Sequence, residues 1–196
     1  MLKIFLRDVV NAAKGPAIFI DRDGVINCRR PGDYVLNWSQ FVFVPGIREA
    51  LKQLSSLGLP VIVISNQAAV GKGLLNSAGL EEITARMNEA LLADSTSLAA
   101  AYYCTHRIED RCPCRKPKPA LLLSAAADFN IDLSRSIFVG DSDTDAQAAR
   151  AAGCASVLFG SDFSLHPTSP SDLPAAHRPS DLYAVVAQYV RATEHA

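Results

Sequence analysis

The stretch Ala17-Ile18-Phe19-Ile20-Asp21-Arg22-Asp23-Gly24-Val25-Ile26-Asn27 indicates both the fold and the chemistry of this chain. It opens on a short apolar run, which is typical of a buried parallel strand. Such a strand delivers the residues after it to the carboxyl edge of the sheet, where open α/β folds bind ligands. Asp21 and Asp23 would then form a small negative site that suits a hard divalent cation such as Mg²⁺. An isolated Asp-x-Asp is more often a turn or a helix cap, so the rest of the chain must decide.

The composition describes an ordinary globular protein. The chain has 196 residues, 49% of them hydrophobic, and a formal net charge of −1. We expect one domain over 1–196, with a core at about 16–160, an N-terminal extension at 1–15, and a loop and helix at 161–196. The near-neutral charge argues against nucleic-acid and anionic-membrane partners. The N-terminus lacks the pattern of a signal peptide, and no apolar run is long enough to span a membrane, which predicts a cytoplasmic protein.

Short β-rich runs alternate with helical patterns along the chain. Strands are predicted at 16–20, 59–64, 98–103, 136–139 and 155–159. Helices are predicted at 46–57, 77–92, 119–129, 144–152 and 181–191. This alternation predicts an α/β fold with a mostly parallel sheet covered on both faces, which is a three-layer sandwich. Residues 25–44 suggest a β-hairpin flap over the sheet edge, residues 161–179 suggest a surface loop, and no segment is long enough to form a large cap domain.

Polar residues follow three of the predicted strands. Asp21 and Asp23 follow the first, Ser65-Asn66-Gln67 follow the second, and an acidic segment with Asp141 and Asp145 follows the fourth. Lys116 lies between the second and third of these groups in the sequence. Each residue alone has an ordinary structural explanation, as a cap or a solvated charge. Their joint occurrence at strand ends in one doubly wound domain indicates a site.

Three of the five cysteines lie within eleven residues. Cys104, His106, Cys112 and Cys114 supply three thiolates and one imidazole, the donors of a tetrahedral structural Zn²⁺ site. The loop between the two pairs is short and polar, so a metal would supply its order. The alternative is a set of free, partly buried cysteines.

These motifs resemble those of the haloacid dehalogenase superfamily of phosphotransferases over most of residues 16–160. The resemblance implies that Asp21 is the nucleophile and that Asp23 is the general acid and base. It also implies that Ser65 and Lys116 hold the phosphoryl group. Mg²⁺ would be bound by Asp21, by the backbone carbonyl of Asp23 and by Asp141, with Asp145 as a supporting or alternative ligand.

The zinc-binding motif before Lys116 is similar to that of the capless members of this superfamily. The residues Asp21 to Asn27, 33–35 and 65–67 resemble enzymes that dephosphorylate D-glycero-D-manno-heptose 1,7-bisphosphate, while the short zinc loop is also similar to that of histidinol-phosphate phosphatases. By resemblance, Arg115 recognises substrate, and Asn66 and Gln67 lie where sugar hydroxyls or phosphate could be held. Lys72 is either a surface lysine or a ligand of a second phosphate.

The resulting hypothesis is a monomeric, Mg²⁺-dependent phosphatase with structural zinc, acting through an aspartyl-phosphate. Its expected substrate is a small phosphorylated metabolite. The resemblance favours the 7-phosphate of heptose 1,7-bisphosphate, in the synthesis of activated heptose for surface lipopolysaccharide, with histidinol phosphate as the alternative. Two other classes remain open: a non-catalytic zinc- or cation-binding module, and an enzyme that processes nucleic-acid ends. The near-zero net charge disfavours the last of these.

Overall fold

A six-stranded sheet forms the centre of the computed structural model, which describes residues 1–7, 14–30, 32–159 and 178–193. The strands are β1 (Leu2–Phe5), β2 (Ile18–Ile20), β3 (Val61–Asn66), β4 (Ala100–Cys104), β5 (Ile137–Gly140) and β6 (Ala155–Leu158). Their order across the sheet is β1-β4-β3-β2-β5-β6. All neighbouring pairs are parallel except β1 with β4. The prediction of a mostly parallel sheet is confirmed.

Six α-helices flank the sheet within the described ranges. They are α1 (Ile47–Ser55), α2 (Ala68–Gly71), α3 (Ser77–Leu92), α4 (Ala120–Phe129), α5 (Asp143–Ala152) and α6 (Pro179–Thr193). Local chemistry sets several of their ends. The Asn76 side chain accepts a hydrogen bond from the backbone of Gly79 at the start of α3. Gly153 ends α5 in the left-handed conformation that glycine adopts without strain. In these described ranges no helix is both long enough and apolar enough to cross a membrane.

Two hydrophobic cores lie on opposite faces of the sheet. Successive strand residues point to opposite faces, so Ile18 and Ile20 belong to one core and Phe19 to the other. The first core includes apolar side chains of α1, α3 and α6, and the second includes those of α4 and α5. The central strands β2, β3, β4 and β5 are buried on both faces, which explains why their sequences are apolar runs rather than alternating patterns. The three-layer prediction is confirmed.

The N-terminal segment departs from the prediction. Residues 2–5 form β1, an edge strand antiparallel to β4, although residues 1–15 were expected to lie outside the core. Its side chains alternate between half-buried and exposed positions, and Leu2 and Ile4 pack against the first core. The pattern is only four residues long and carries a lysine, so periodicity is a weak signal there.

The β-hairpin predicted for residues 25–44 is present only as a short antiparallel contact between residues 26–28 and 42–44. Of this region the structure describes all but Pro31, and β-pairing there is limited to isolated bridges, one of which joins Asn27 to Phe43. A short 3₁₀ helix occupies Trp38–Gln40. Trp38 stacks on Phe41 at a centroid distance of 5.0 Å, and Phe41 meets Phe43 edge-on at 5.1 Å. This aromatic cluster packs toward the core, and compact packing of this kind competes with an extended hairpin. The predicted loop at 161–179 lies outside the described residues except for its last two.

The topology creates a ligand-binding edge at β2. The chain proceeds from β2 to β3 and β4 on one side, and then returns to place β5 and β6 on the other. The carboxyl ends of β2 and β5 therefore flank a switch point, which is where doubly wound sheets form a crevice.

Candidate active site

Asp21 follows β2 directly, and its backbone N–H donates to the carbonyl of Val139 on the neighbouring strand β5. This bond holds the aspartate at the sheet edge. One side-chain oxygen, Oδ1, accepts a hydrogen bond of 2.7 Å from the backbone N–H of Arg22. The same oxygen lies 3.0 Å from the Lys116 ammonium. The structure thus brings together Asp21 and Lys116, which are 95 positions apart in sequence.

Lys116 is the central cation of the site. Its ammonium contacts Asp145 Oδ1 at 2.6 Å, donates to the Ile64 carbonyl at 2.9 Å, and is only 4% exposed. Burial would lower the pKa of Lys116, but the Asp21 and Asp145 carboxylates outweigh burial and raise the pKa. The lysine therefore stays charged inside the protein.

Asp141 and Asp145 complete an acidic cluster with Asp21 after β5. One carboxylate oxygen from each of the three lies within 4.8 Å of the other two. Gly140 permits this approach, since a Cβ at that position would lie 2.2 Å from the Asp145 Cβ. Asp145 Oδ2 accepts from the backbone N–H groups of Asp141 and Ser142 and from the Ser142 hydroxyl, so it caps α5. Three converging carboxylates are a donor set that fits Mg²⁺.

Burial and mutual repulsion raise the pKa of two members of this cluster. Burial is the largest cause for Asp21, where it outweighs Lys116 and raises the pKa to about 6. Burial and the neighbouring Asp21 charge raise the pKa of Asp141 to about 7, against the opposing effect of Arg29. Raised pKa values in two neighbouring carboxyls indicate a site that lacks positive charge. A divalent cation would supply that charge.

Asp23 is ionised and firmly held. Its Oδ1 accepts from Arg22 at 3.0 Å and from Asn27 at 2.9 Å, and its Oδ2 accepts from Gln67 at 2.6 Å. Burial alone would raise the pKa of Asp23, but the Arg22 charge and these hydrogen bonds outweigh it and lower the pKa. The two aspartates of the motif thus differ in proton affinity, but in the absence of metal and substrate the order is the reverse of that expected for a nucleophile at Asp21 and a general acid at Asp23.

Two amide side chains predicted to bind substrate have partners inside the protein. Asn66 clamps the main chain of Lys116: it donates to the carbonyl at 3.2 Å and accepts from the N–H at 3.1 Å. Gln67 donates to Asp23 and, at 3.2 Å, to the hydroxyl of buried Ser65. A hydrogen bond from Ser65 also lowers the pKa of Asp21. Ser65 and Lys116 thus lie against Asp21, and the predicted substrate contacts of the two amides stay predictions.

Arg115 and Lys72 are two further cations that the sequence predicts at the site. Arg115 is half-buried, and its Nη1 atom has no hydrogen-bond partner in the described part of the chain. Its predicted contact with substrate stays a prediction. Lys72 is exposed and lies 5.3 Å from the centre of the Tyr34 ring. Its predicted second-phosphate contact stays a prediction.

The four predicted zinc ligands converge at the end of β4. Cys104 Sγ lies 3.5 Å from Cys112 Sγ and 3.8 Å from His106 Nδ1. Cys114 Sγ lies 3.7 Å from Cys112 Sγ and 3.3 Å from His106 Nδ1. A tetrahedron with Zn–S of about 2.3 Å and Zn–N of about 2.05 Å has edges of about 3.75 Å and about 3.55 Å. The four distances and the absence of disulfides among these cysteines fit a zinc site.

This loop is joined to the candidate active site. Cys104 pairs with Asn66 in the β3–β4 register, and Cys114 precedes Lys116 by two residues. Gly71 at the end of α2 contacts the loop so closely that a Cβ there would lie 2.6 Å from the Thr105 carbonyl. The loop therefore positions the chain that carries Arg115 and Lys116.

Sequence reasoning missed two arginines. Arg22 is only 1% exposed and pairs with Asp23, and its position between two aspartates reads as a surface charge until burial is known. Arg29 lies 2.9 Å from Asp141 Oδ1 across 112 positions of sequence. No local pattern distinguishes Arg29 from its neighbour Arg30, which pairs with Asp33 instead.

The chain is similar in sequence to known hydrolases. The model of the haloacid dehalogenase-like hydrolase family matches residues 11–153. A D-glycero-beta-D-manno-heptose-1,7-bisphosphate 7-phosphatase of Helicobacter pylori is 40% identical over 130 residues, covering 66% of this chain and 74% of the relative. A D-glycero-alpha-D-manno-heptose-1,7-bisphosphate 7-phosphatase of Mycobacterium tuberculosis is 39% identical over 149 residues, covering 73% and 78%.

A solved structure extends the similarity to the fold. The D,D-heptose 1,7-bisphosphate phosphatase from B. bronchiseptica, complexed with magnesium and phosphate, superposes with a TM-score of 0.79 at 29% identity. The match covers 90% of this chain and 99% of that one. With a family model over residues 11–153 and this arrangement of Asp21, Lys116 and Asp141, the chain belongs to the haloacid dehalogenase-like hydrolases.

Proposed function

We propose that this hydrolase is a Mg²⁺-dependent phosphatase that removes the 7-phosphate of D-glycero-D-manno-heptose 1,7-bisphosphate. The observation that carries the proposal is the contact of Asp21 with the buried Lys116 ammonium beside Asp141 and Asp145. A carboxylate held against a fixed cation can approach a phosphate that would otherwise repel it. The relatives named for this activity, with both anomers represented, support the substrate.

In the first step an oxygen of Asp21 attacks phosphorus and the bond from phosphorus to the sugar oxygen breaks. Asp21 becomes an aspartyl-phosphate, and Asp23 donates a proton to the leaving oxygen. The Asp23 carboxylate is ionised without substrate, so it must acquire this proton as substrate binds. The negative phosphoryl group beside it raises its proton affinity and favours that change.

In the second step Asp23 is a carboxylate again and takes a proton from water. The oxygen of that water bonds to phosphorus, inorganic phosphate leaves, and Asp21 is restored. Lys116 and the Ser65 hydroxyl stabilise the phosphoryl oxygens in both steps. Mg²⁺, held by the Asp21 and Asp141 carboxylates and the Asp23 carbonyl, supplies charge neutralisation when bound. We assign Asp145 a supporting role because its oxygens already hold Lys116 and cap α5.

The test is phosphate release measured side by side on heptose 1,7-bisphosphate, in both anomers, and on histidinol phosphate, with Mg²⁺ and with chelator. We expect Mg²⁺-dependent turnover that favours the bisphosphate. A preference for histidinol phosphate would make that compound the substrate in place of the heptose bisphosphate. Turnover of 3′-phosphorylated oligonucleotides would indicate an enzyme that processes nucleic-acid ends.

The Asp21→Asn variant separates an enzyme from a cation-binding module. We expect it to lose phosphate release while it keeps its fold and its zinc content. Full turnover by this variant would remove Asp21 as the nucleophile. The proposal includes structural Zn²⁺ at the Cys104 cluster and a cytoplasmic monomer, which metal analysis, cell fractionation and light scattering would test.

A further inference from the structure

Arg29 contacts a carboxylate that the proposed function assigns to the metal. Its Nη2 atom lies 2.9 Å from Asp141 Oδ1, and the two side chains are 56% and 11% exposed. The arginine is thus a solvated group bonded to a mostly buried partner. A planar guanidinium suits carboxylate and phosphate oxygens alike, so it can serve either ligand.

The acidic cluster carries more negative charge than the cations beside it compensate. Three carboxylates, Asp21, Asp141 and Asp145, lie together, and the cations that face Asp141 are Arg29 and Lys116. One negative charge is left uncompensated. Lys116 is bonded to Asp21 and Asp145, and among the described residues Arg29 is the cation in direct contact with Asp141. A divalent ion would more than replace the charge that Arg29 brings.

Steric contacts decide which neighbour of Asp141 can yield. The backbone of Gly24 packs against Asp141 Oδ2, since a Cβ on Gly24 would lie 1.7 Å from that oxygen. Gly24 has a φ of +96° and cannot shift without remodelling the turn after β2. Arg29 holds the other oxygen and can swing away by side-chain rotation alone. Arg29 is therefore the group that a metal displaces.

We propose that Arg29 is an exchangeable cation, which holds Asp141 when Mg²⁺ is absent and transfers to the substrate phosphate when Mg²⁺ binds. The oxygens of Asp141 and Asp21 lie within 4.8 Å of each other, so a guanidinium released from Asp141 starts beside the phosphorus that Asp21 attacks. This inference rests on the proposed function for its metal site. It makes Arg29 a competitor of the metal and a ligand of the phosphate.

The test is calorimetric titration of Mg²⁺ into protein dialysed against magnesium-free buffer. Arg29→Ala is compared with wild type and with Arg30→Ala, which removes the same charge one position away but leaves Asp141 untouched. Loss of one partly exposed ion pair should tighten Mg²⁺ binding about fivefold in Arg29→Ala, and by less than about twofold in Arg30→Ala. Titration of inorganic phosphate at saturating Mg²⁺ should show the opposite sign, with binding weakened about fivefold in Arg29→Ala alone.

Opposite shifts of the two affinities support the exchange. Equal Mg²⁺ affinities in Arg29→Ala and Arg30→Ala, or a phosphate affinity unchanged by Arg29→Ala, would overturn it and leave the phosphatase proposal standing. A wild-type protein that binds no Mg²⁺ would overturn both.

Discussion

Asp141→Asn should stabilise the protein at pH 8 when metal is absent, although it removes a proposed metal ligand. Burial and the Asp21 charge raise the pKa of Asp141 to about 7, whereas an unfolded chain gives about 3.9. The folded protein then binds this proton more tightly than the unfolded chain does. Its contribution to stability is complete below about pH 4 and is lost as the pH rises through 7. An asparagine carries no charge and avoids this loss.

The expected magnitude follows from the two pKa values. Between pH 8 and pH 5 a carboxyl that titrates at about 7 when folded and about 3.9 when unfolded contributes about 2.6 kcal/mol. Asp141 keeps some solvent contact and a partner in Arg29, which reduce the measured value. We expect the unfolding free energy of the wild type to rise by about 1 to 2.5 kcal/mol more between pH 8 and pH 5 than that of Asp141→Asn. Asp21 acts in the same direction, and the lowered pKa of Asp23 affects stability only below about pH 4.

Urea unfolding at pH 8 and pH 5 in metal-free buffer measures this difference. Asp143→Asn is the matched control, because Asp143 is exposed at the start of α5 two positions away. Added Mg²⁺ should stabilise wild type and Asp143→Asn at pH 8 and leave Asp141→Asn unchanged. If Asp141→Asn showed the same pH-dependent gain as Asp143→Asn, Asp141 would not be the titrating group and the reasoning would fail.

Three further variants test the remaining contacts. Lys116→Met leaves the Asp21 and Asp145 carboxylates without their buried cation, so we expect the unfolding free energy in metal-free buffer to fall by about 3 kcal/mol. The control Lys52→Met, at an exposed position, should lose less than about 0.5 kcal/mol. Equal losses in the two variants would refute the ion-pair assignment. We expect mass spectrometry to find one zinc ion per chain in the wild type and in Cys28→Ser, and none in Cys112→Ser. Cys112→Ser should also have a lower melting temperature, and a lower turnover because its loop no longer positions Lys116. Arg22→Met deprives Asp23 of its buried partner, so we expect the unfolding free energy to fall by about 2 kcal/mol. We also expect kcat to fall at least tenfold with little change in KM. An unchanged kcat would show that Arg22 is not a positioning residue.

The element pattern of this chain is largely readable without a structure. The parallel strands are apolar runs because both faces are buried, and the helices show their period and their capping residues. The predicted and observed bounds of α3 coincide at 77–92. β1 escapes such reasoning because a four-residue edge strand is defined by its partner, β4, rather than by its own composition. The aromatic packing of Trp38, Phe41 and Phe43 likewise depends on neighbours that a local pattern does not show.

The sequence by itself determined the chemical groups of the site and the edge of the sheet where they meet. Strand ends in a parallel sheet converge whatever their separation along the chain, which is why Asp21, Ser65 and Asp141 could be assigned together. Only the tertiary structure decided how these groups are paired. Burial separates Arg22 from a surface arginine, Asn66 turns to the main chain of Lys116, and Arg29 rather than Arg30 reaches Asp141. Burial and spatial proximity decide which carboxylate an arginine pairs with. Neither can be read from the local order of residues, since Arg29 and Asp141 are 112 positions apart in sequence.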